Sequence, residues 1–325
     1  MSRRCINMNL NVLFLGTSSF ALPSLRKLIE SDLSSLTVVT RPDRPAGRGK
    51  KSSVTPVKSE ALKHNLTLFQ PEGRTELYAV LEKTNPDLLI NVAFGMFLPP
   101  AVLDYPPLGC INLHPSLLPA YRGAAPIQRA LMSGEEHTGV TVLFMSSELD
   151  AGDIILQEKT GIGPHENYGS LHDRLAELGA IKLLQALDLL EKGAAPRIRQ
   201  DEEQATYAPP LTREEEKIIW SNPAIQIFNQ VRALDPLPGA YTRFRNKRLK
   251  IWKTAPVGED TSQGTKEDFA PLSPGTVSLV AKDYFEVASG QGSLRVLELQ
   301  PEGKRRMSAG DFLKGYQLKV GDSFE

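Results

Sequence analysis

The chain has 325 residues, and its 38 basic and 38 acidic side chains give a formal net charge of zero. The length predicts two domains, and the charge balance excludes a protein coated with positive charge for indiscriminate nucleic-acid binding. Because Cys5 and Cys110 have no disulfide or metal-ligand spacing and no apolar stretch approaches the roughly 18 residues of a membrane span, we expect a cytoplasmic protein without a membrane anchor or signal peptide.

Apolar strand-like runs alternate with helical patterns as far as about residue 206, after an extension at 1–8 that we expect to be flexible. This alternation is typical of βαβ units, so we predict an α/β domain over 9–206 with a Rossmann-like, mostly parallel sheet. The candidate strands are NVLFLG from Asn11, LTVVT from Leu36, DLLINVAF from Asp87, GCINLH from Gly109 and GVTVLFM from Gly139. The candidate helices are FALPSLRKLIE, VKSEALKHN, LYAVLEKTN and a long run from Tyr168 that Gly193 should end.

The pattern changes after about Tyr207. Residues 207–215 are a predicted linker, and APPLTREEEKIIW should run into a short amphipathic helix. The next segments, YTRFRNKRLKIWKTAPV, GTVSLVAKDYFEVAS and SLRVLELQPEG, are β-like runs separated by Gly, Pro and Asn. They predict a small, mostly antiparallel OB-like β-barrel over 216–325, with a mobile loop in GEDTSQGTKEDFAPLSP.

The turn after the first strand, FLGTSSFALPSL, contains only Gly16, so the three-glycine dinucleotide fingerprint is absent and NAD is not expected. A helix beginning near Ser19 could still offer free N–H groups to an anionic group, although an ordinary strand-to-helix turn is the alternative. No metal is expected, because the five histidines lack the mutual spacing of a ligand cluster.

Asn112 and His114 are separated by one residue at the end of GCINLH, so in a strand both side chains point to the same face. Open α/β sheets build active sites at the carboxyl ends of their parallel strands. An amide donor and an imidazole donor at that position fit an oxyanion hole. The alternative is a satisfied buried histidine beside an asparagine that forms a turn.

Asp150 follows an apolar strand in the loop SSELDAGDIILQE. An aspartate at this position could accept a hydrogen bond from an imidazole, orient the ring and stabilise its charged form. Asp153 is the competing candidate, and an Asx-turn in LDAGD is the simpler interpretation.

The stretch NLHPSLLPAYRGAAPIQRAL, followed about thirty residues later by LDAGDIILQ, resembles the 10-formyltetrahydrofolate-dependent formyltransferases. The resemblance implies that Asn112, His114 and Asp150 are catalytic and that 10-formyltetrahydrofolate is the co-substrate. It also implies a folate site, lined by Ser116, Leu117, Leu118 and Pro119 and by the backbone of Phe94, Gly95, Met96, Phe97 and Leu98.

The basic loop RPDRPAGRGKKSSVTPVK, the motif VAFGMFLP and the added carboxyl-terminal domain resemble the family members that act on an aminoacyl-tRNA. This implies a monomer that formylates the α-amino group of methionyl initiator tRNA for translation initiation. Ends and single strands of RNA are recognised by such basic segments. The implied tRNA-binding residues are Arg44, Arg48, Lys50 and Lys51 in the loop and Arg245, Lys247 and Arg248 in the barrel. A solvated surface loop is the alternative for the basic segment.

Three other functions compete with this interpretation. Formyltransferases acting on a glycinamide ribonucleotide or a sugar-nucleotide amine would share Asn112, His114 and Asp150, but they do not explain the basic loop together with the barrel. A formyltetrahydrofolate hydrolase at the front of a dehydrogenase would need a long additional NAD domain. A non-catalytic tRNA-binding module would not need the three side chains.

Overall fold

The computed structural model describes residues 7–46, 51–257 and 272–325. Contacts divide the chain into a first unit, with residues up to Pro126, His137–Gly161 and His172–Ala208, and a second unit. The second unit consists of Ile127–Glu136, Ile162–Leu171 and Pro209–Glu325, so two internal segments join the carboxyl-terminal part. Most of the predicted mobile loop and residues 1–6 of the predicted extension lie outside the described residues.

The first unit is built on one large sheet. Its strands are β1 (Asn7–Gly16), β2 (Asp32–Val39), β5 (Thr67–Phe69), β6 (Leu88–Val92), β7 (Cys110–His114), β9 (His137–Phe144) and β10 (Ile154–Gly161). Their spatial order is β10-β9-β7-β6-β1-β2-β5. The five strands from β7 to β5 in this order pair in parallel. Strand β9 pairs antiparallel to β7 on one side and to β10 on the other. The predicted mostly parallel α/β fold is confirmed.

Short strands and helices complete this part of the chain. Two small two-stranded pairs are formed by β3 (Arg44–Ala46) with β4 (Lys51–Ser53) and by β8 (Arg122–Gly123) with β11 (Tyr207–Ala208). The helices are α1 (Leu22–Ile29), α2 (Pro56–Lys63), α3 (Arg74–Thr84), α4 (Pro100–Leu103), α5 (Pro126–Met132) and α6 (Tyr168–Glu191). Single 3-10 turns occupy Ser19–Ala21 and Glu202–Gln204.

The apolar periodicity of the sequence accounts for the central elements. Residues 12–15 of β1 are completely buried, as expected for a parallel strand covered on both faces. In α6, Leu171, Leu175, Leu183 and Leu187 are buried on one face. The chain leaves this helix through Gly193, whose φ of +63° is the left-handed conformation that glycine adopts without strain.

The second unit contains an antiparallel sheet with its own helices, and residues 127–132 of α5 also belong to it. Its elements are α7 (Ala224–Leu234), β12 (Ala240–Phe244), β13 (Lys247–Val257), β14 (Val277–Val280), β15 (Phe285–Ala288), β16 (Ser293–Pro301), β17 (Met307–Ser308) and α8 (Ala309–Tyr316). The strand order is β12-β13-β16-β15-β14, with β17 on β16. Four aromatic rings, Phe244, Phe285, Phe312 and Phe324, pack against each other in the core. The antiparallel fold predicted for this half is confirmed.

One predicted helix is wrong. The segment EEEKIIW forms only a single 3-10 turn at Glu214–Glu216 and then runs extended beside β12. Ile218 and Trp220 are 1% and 5% exposed while Ile219 is 54% exposed, which is the two-residue alternation of a strand. The helix of this region begins later, at α7. No helix within the described ranges is long and apolar enough to cross a bilayer.

Candidate active site

Asn112 and His114 lie in the carboxyl-terminal part of β7, which is next to β6. Their side chains are buried, with exposed fractions of only 7% and 4%. The register of the two strands places Asn91 of β6 opposite Asn112. Both loops that follow these strands therefore leave the sheet at the same edge. This is the edge at which the sequence predicted an active site.

Asp150 approaches this pair from the turn between β9 and β10. Its Oδ2 lies 3.6 Å from Nδ1 of His114 and accepts a 2.9 Å hydrogen bond from the backbone N–H of Gly123. Its Oδ1 accepts a 3.4 Å hydrogen bond from Nδ2 of Asn112. The structure thus brings Asn112, His114 and Asp150 together. The competitor Asp153 instead lies 3.6 Å from the guanidinium of Arg197.

The backbone of the Asp150 turn explains why this aspartate faces the sheet. Asp150 has a φ of +50°, a left-handed conformation that aspartate tolerates better than most residues. A Cβ at Gly152 would stand 1.8 Å from the carbonyl oxygen of Phe144, so only glycine fits there. The sequence LDAGD therefore specifies a tight turn that aims the first carboxylate inward.

The partners of His114 indicate which of its ring nitrogens carries a proton. Nε2 lies 2.9 Å from the carbonyl oxygen of Tyr121. Because a carbonyl only accepts, Nε2 carries a proton. The 3.6 Å between Nδ1 and Oδ2 of Asp150 is too long for a direct hydrogen bond. A positively charged ring would direct its second proton at the carboxylate.

Asn91 is a site residue that the sequence analysis missed. Its Nδ2 donates a 2.8 Å hydrogen bond to Oδ1 of Asn112, which turns the Asn112 NH2 group toward Asp150. Its own Oδ1 is buried and has no hydrogen-bond partner among the described residues. A polar residue inside the apolar run LLINV was the available signal.

The two predicted folate segments follow neighbouring strands. Residues 94–98 come after β6 and 116–119 after β7, so both start at the edge that holds Asn112. Leu98 and Leu118 are buried, and Ser116 donates to the carbonyl of Ala120 at 2.6 Å. Phe97 is exposed. The folate site at these two segments stays a prediction.

Two polar side chains fix the first of these segments. Thr17 donates a 2.9 Å hydrogen bond to the carbonyl of Phe94, and Arg41 donates a 2.7 Å bond to that of Gly95. The first turn, which carries Thr17, thus supports the loop after β6.

The predicted tRNA-binding residues of the basic loop are only partly described. Arg44 is exposed on β3. Lys51 belongs to β4, but its side chain, like Arg48 and Lys50, lies outside the described residues.

The predicted cations of the second unit surround the turn between β12 and β13, and all three are exposed. Arg245 lies 3.5 Å from the carboxylate of Asp322. Arg248 lies over the ring of Tyr241, 3.6 Å from its centroid, and Lys247 begins β13. Their charges are therefore displayed on one hairpin.

Burial raises the pKa of the Cys110 thiol to about 12, and the thiol points at the carbonyls of Val102 and Leu103. A thiol that stays protonated at neutral pH is a packing group and not a nucleophile. Within the described part of the chain, no group of three or more His, Cys, Asp and Glu side chains could hold a metal ion.

Comparison with known proteins identifies the class to which this fold and site belong. The formyl transferase family matches residues 8–187, and the formyl transferase C-terminal domain matches residues 210–317. The chain therefore belongs to the formyl transferase family. Among its relatives are the methionyl-tRNA formyltransferases of Syntrophus aciditrophicus, 46% identical over 96% of this chain and 98% of the relative, and of Moorella thermoacetica, 47% identical over 96% and 98%.

Solved structures share the fold at low identity. An N-formyltransferase from Helicobacter canadensis, in complex with folinic acid and dTDP-3-aminofucose, has a TM-score of 0.65 and 17% identity over 88% of this chain and 98% of its own. HypX from Aquifex aeolicus in complex with tetrahydrofolic acid has a TM-score of 0.63 and 19% identity over 98% of this chain and 51% of its own.

Proposed function

We propose that this protein transfers the formyl group of 10-formyltetrahydrofolate to the α-amino group of methionyl initiator tRNA, giving N-formylmethionyl-tRNA for translation initiation in the cytoplasm. The observation that carries the proposal is the convergence of Asn112, His114 and Asp150 at the carboxyl ends of β6 and β7. The names and near-complete coverage of the relatives support the choice of acceptor. We expect the protein to act as a monomer.

In the proposed reaction, the neutral α-amine attacks the formyl carbon and a carbon–nitrogen bond forms. Negative charge develops on the formyl oxygen. Donors already aimed at that oxygen stabilise the transition state more than the ground state. The Nδ2 group of Asn112, oriented by Asn91, and the Nε2–H group of His114 supply these donors.

The proton of the attacking amine must leave as the bond between the formyl carbon and N10 breaks. Asp150 accepts this proton through a water and passes it on, so that N10 of the departing tetrahydrofolate takes up the proton that the amine has lost. No bond to the enzyme forms at any stage.

The hydrogen bond from His114 to Tyr121 adds a requirement to this mechanism. The Nε2 proton is already donated to the Tyr121 carbonyl, so the formyl oxygen must share or replace that acceptor. Tyr121 has a φ of +61°, and its loop leads directly to Gly123, which holds Asp150. The loop from Tyr121 to Gly123 therefore contacts both His114 and Asp150, the same two groups that substrate binding would affect.

The folate and tRNA parts of the proposal rest on the surrounding segments. Residues 94–98 and 116–119 start at the edge of the sheet that holds Asn112, which supports a folate site there. The exposed cations Arg44, Arg245, Lys247 and Arg248 support contacts with tRNA phosphates.

The test is transfer of isotope-labelled formyl from 10-formyltetrahydrofolate. Methionyl initiator tRNA should accept label, whereas methionyl elongator tRNA, free methionine and a sugar-nucleotide amine should accept far less. Binding of tRNA without transfer would instead support a non-catalytic module. Preferred transfer to the sugar-nucleotide amine would overturn the assigned acceptor.

A further inference from the structure

Gln200 is a buried amide behind the site, in the segment that follows α6. It is 5% exposed, and the neighbouring Ile198 pairs with Ile154 at the start of β10. The side chain therefore lies beside the turn that carries Asp150. It contacts neither Asn112 nor His114 through a hydrogen bond within the described part of the chain.

All hydrogen-bonding capacity of this amide is used. Its Nε2 donates to the carbonyl of Asp150 at 2.7 Å and to that of Gly152 at 2.8 Å. Its Oε1 accepts from Nε of Arg122 at 3.1 Å and from Nη2 at 2.8 Å. A reversed amide would set donors against the guanidinium and an oxygen against two carbonyls, so only one orientation is possible.

Arg122, which donates to Gln200, is also held in one position. Arg122 is 2% exposed, and its remaining N–H groups donate to both carboxylate oxygens of Glu202 at 2.8 Å. That bond raises the pKa of Arg122 and lowers that of Glu202. The guanidinium is therefore a fixed, charged anchor for Gln200.

These contacts fix Asp150 at its backbone carbonyl and at its carboxylate. Gln200 holds its backbone carbonyl, and the N–H of Gly123 holds its carboxylate. Gly123 directly follows Arg122, so one short strand, β8, controls both points. The left-handed backbone at Asp150 needs such support, because a strained conformation persists only where its surroundings fix it.

We propose that Gln200 is a positioning residue, which links Arg122 to the Asp150 turn and thereby sets the carboxylate against His114 and Asn112. The inference rests on the proposed function and deepens it. Misplacing a catalytic group by about 1 Å can cost on the order of 100-fold in rate. Because Gln200 is buried and its hydrogen bonds go to Arg122 and the Asp150 turn, its loss should lower kcat and leave both KM values unchanged.

The test substitutes Gln200→Glu, which keeps the shape and an acceptor for Arg122 but removes both donors to the turn. We expect kcat for formyl transfer to fall about 10- to 100-fold. Gln230→Glu is the matched control, because Gln230 also donates to two carbonyls two residues apart, those of Glu215 and Lys217. This control should keep wild-type kcat. Gln200→Met, which removes the donors without adding charge, should match Gln200→Glu.

A double-mutant cycle separates positioning from general destabilisation. If Gln200 acts through Asp150, then Gln200→Glu should cost less than about threefold in single-turnover rate once Asp150→Asn is present. An equal loss in both backgrounds, or a kcat of both Gln200 variants within twofold of wild type, would overturn the inference alone. A wild-type protein that transfers no formyl group would overturn the proposed function and the inference together.

Discussion

At His114 both ring nitrogens face fixed oxygens, those of Tyr121 and Asp150. The ring cannot turn without losing one of them, so the side chain is preorganised for one task. We expect His114→Ala to lower kcat/KM for formyl transfer by on the order of 100- to 1000-fold, the usual cost of losing an oxyanion donor. Melting temperature and tRNA affinity should change little. A variant that keeps more than about a tenth of wild-type kcat/KM contradicts the role.

Asn91 gives a second test, because it decides which way the Asn112 amide points. In Asn91→Asp a carboxylate replaces the donor, so it should attract the Asn112 NH2 group away from Asp150. We expect kcat at saturating substrates to fall at least about 10-fold, toward the cost of a lost oxyanion donor. Asn91→Leu removes the donor without reversing the amide and should cost less. Equal activity of Asn91→Asp and wild type would show that this orientation is unimportant.

The sequence predicted some of these residues because the information was local. The spacing of Asn112 and His114 in one strand placed them on a common face. Asp150 and Asp153 follow the same strand, and only the tight turn at Gly152 determines which one faces inward. The polar Asn91 in an apolar run was a signal that a site lay there, but the partners of Asn91 and Gln200 could not be predicted, because they are 21 and 50 residues away in the chain.

At the scale of elements, the hairpin β12–β13 presents its cations because of its turn. Arg245 and Asn246 both have positive φ, 49° and 63°, as in the two-residue turns that match the twist of paired strands. Lys247 follows immediately and is exposed at the start of β13. The turn thus holds positive charge at the end of a rigid ribbon.

We expect Lys247→Ala to weaken tRNA binding and to reduce the slope of log affinity against log salt by roughly one. Each phosphate contact releases counterions, so one contact fewer makes binding less sensitive to salt. Lys192→Ala is the control, since Lys192 follows α6 and pairs with Asp188. Parallel slopes for wild type and Lys247→Ala, with equal affinities, would remove this hairpin from the tRNA surface.

Elements were predictable where the apolar period was long. The long helix α6 keeps one apolar face over many turns, and the buried parallel strands are continuous apolar runs. The segment around Ile218 and Trp220 was wrongly predicted as a helix, because three acidic residues precede a short apolar run. Its extended conformation depends on pairing with β12, a contact that the local pattern does not contain.

At the scale of the whole molecule, stability in acid depends on carboxylates that arginines hold in each unit. Arg26 of α1 donates to Glu60 of α2 at 2.6 and 3.3 Å, and Arg129 similarly binds Glu215. These bonds lower the pKa of Glu60 and of Glu215 below the usual carboxyl value.

A carboxyl with a lower pKa in the folded state binds fewer protons than it does in the unfolded chain. Such a carboxyl stabilises the fold fully at a pH above its pKa in the unfolded chain, about 4.3. The stabilisation is lost as the pH falls through its lower pKa in the folded protein. Glu60→Gln should therefore lower the melting temperature at pH 7, and the difference should close in more acid solution. Exposed Glu82→Gln is the control. A difference that stays constant with pH contradicts this origin.

The discontinuous second unit restricts how such a protein can be rearranged by recombination. Arg129, from an internal segment, donates to the carbonyls of Pro209 and Pro210, and a side chain at Gly134 would strike Asn229 of α7. A single crossover near residue 208 would exchange the antiparallel sheet but leave 127–136 and 162–171 behind. Chimaeras between relatives should therefore fold best when these two inserts are inherited from the same parent as the carboxyl-terminal part.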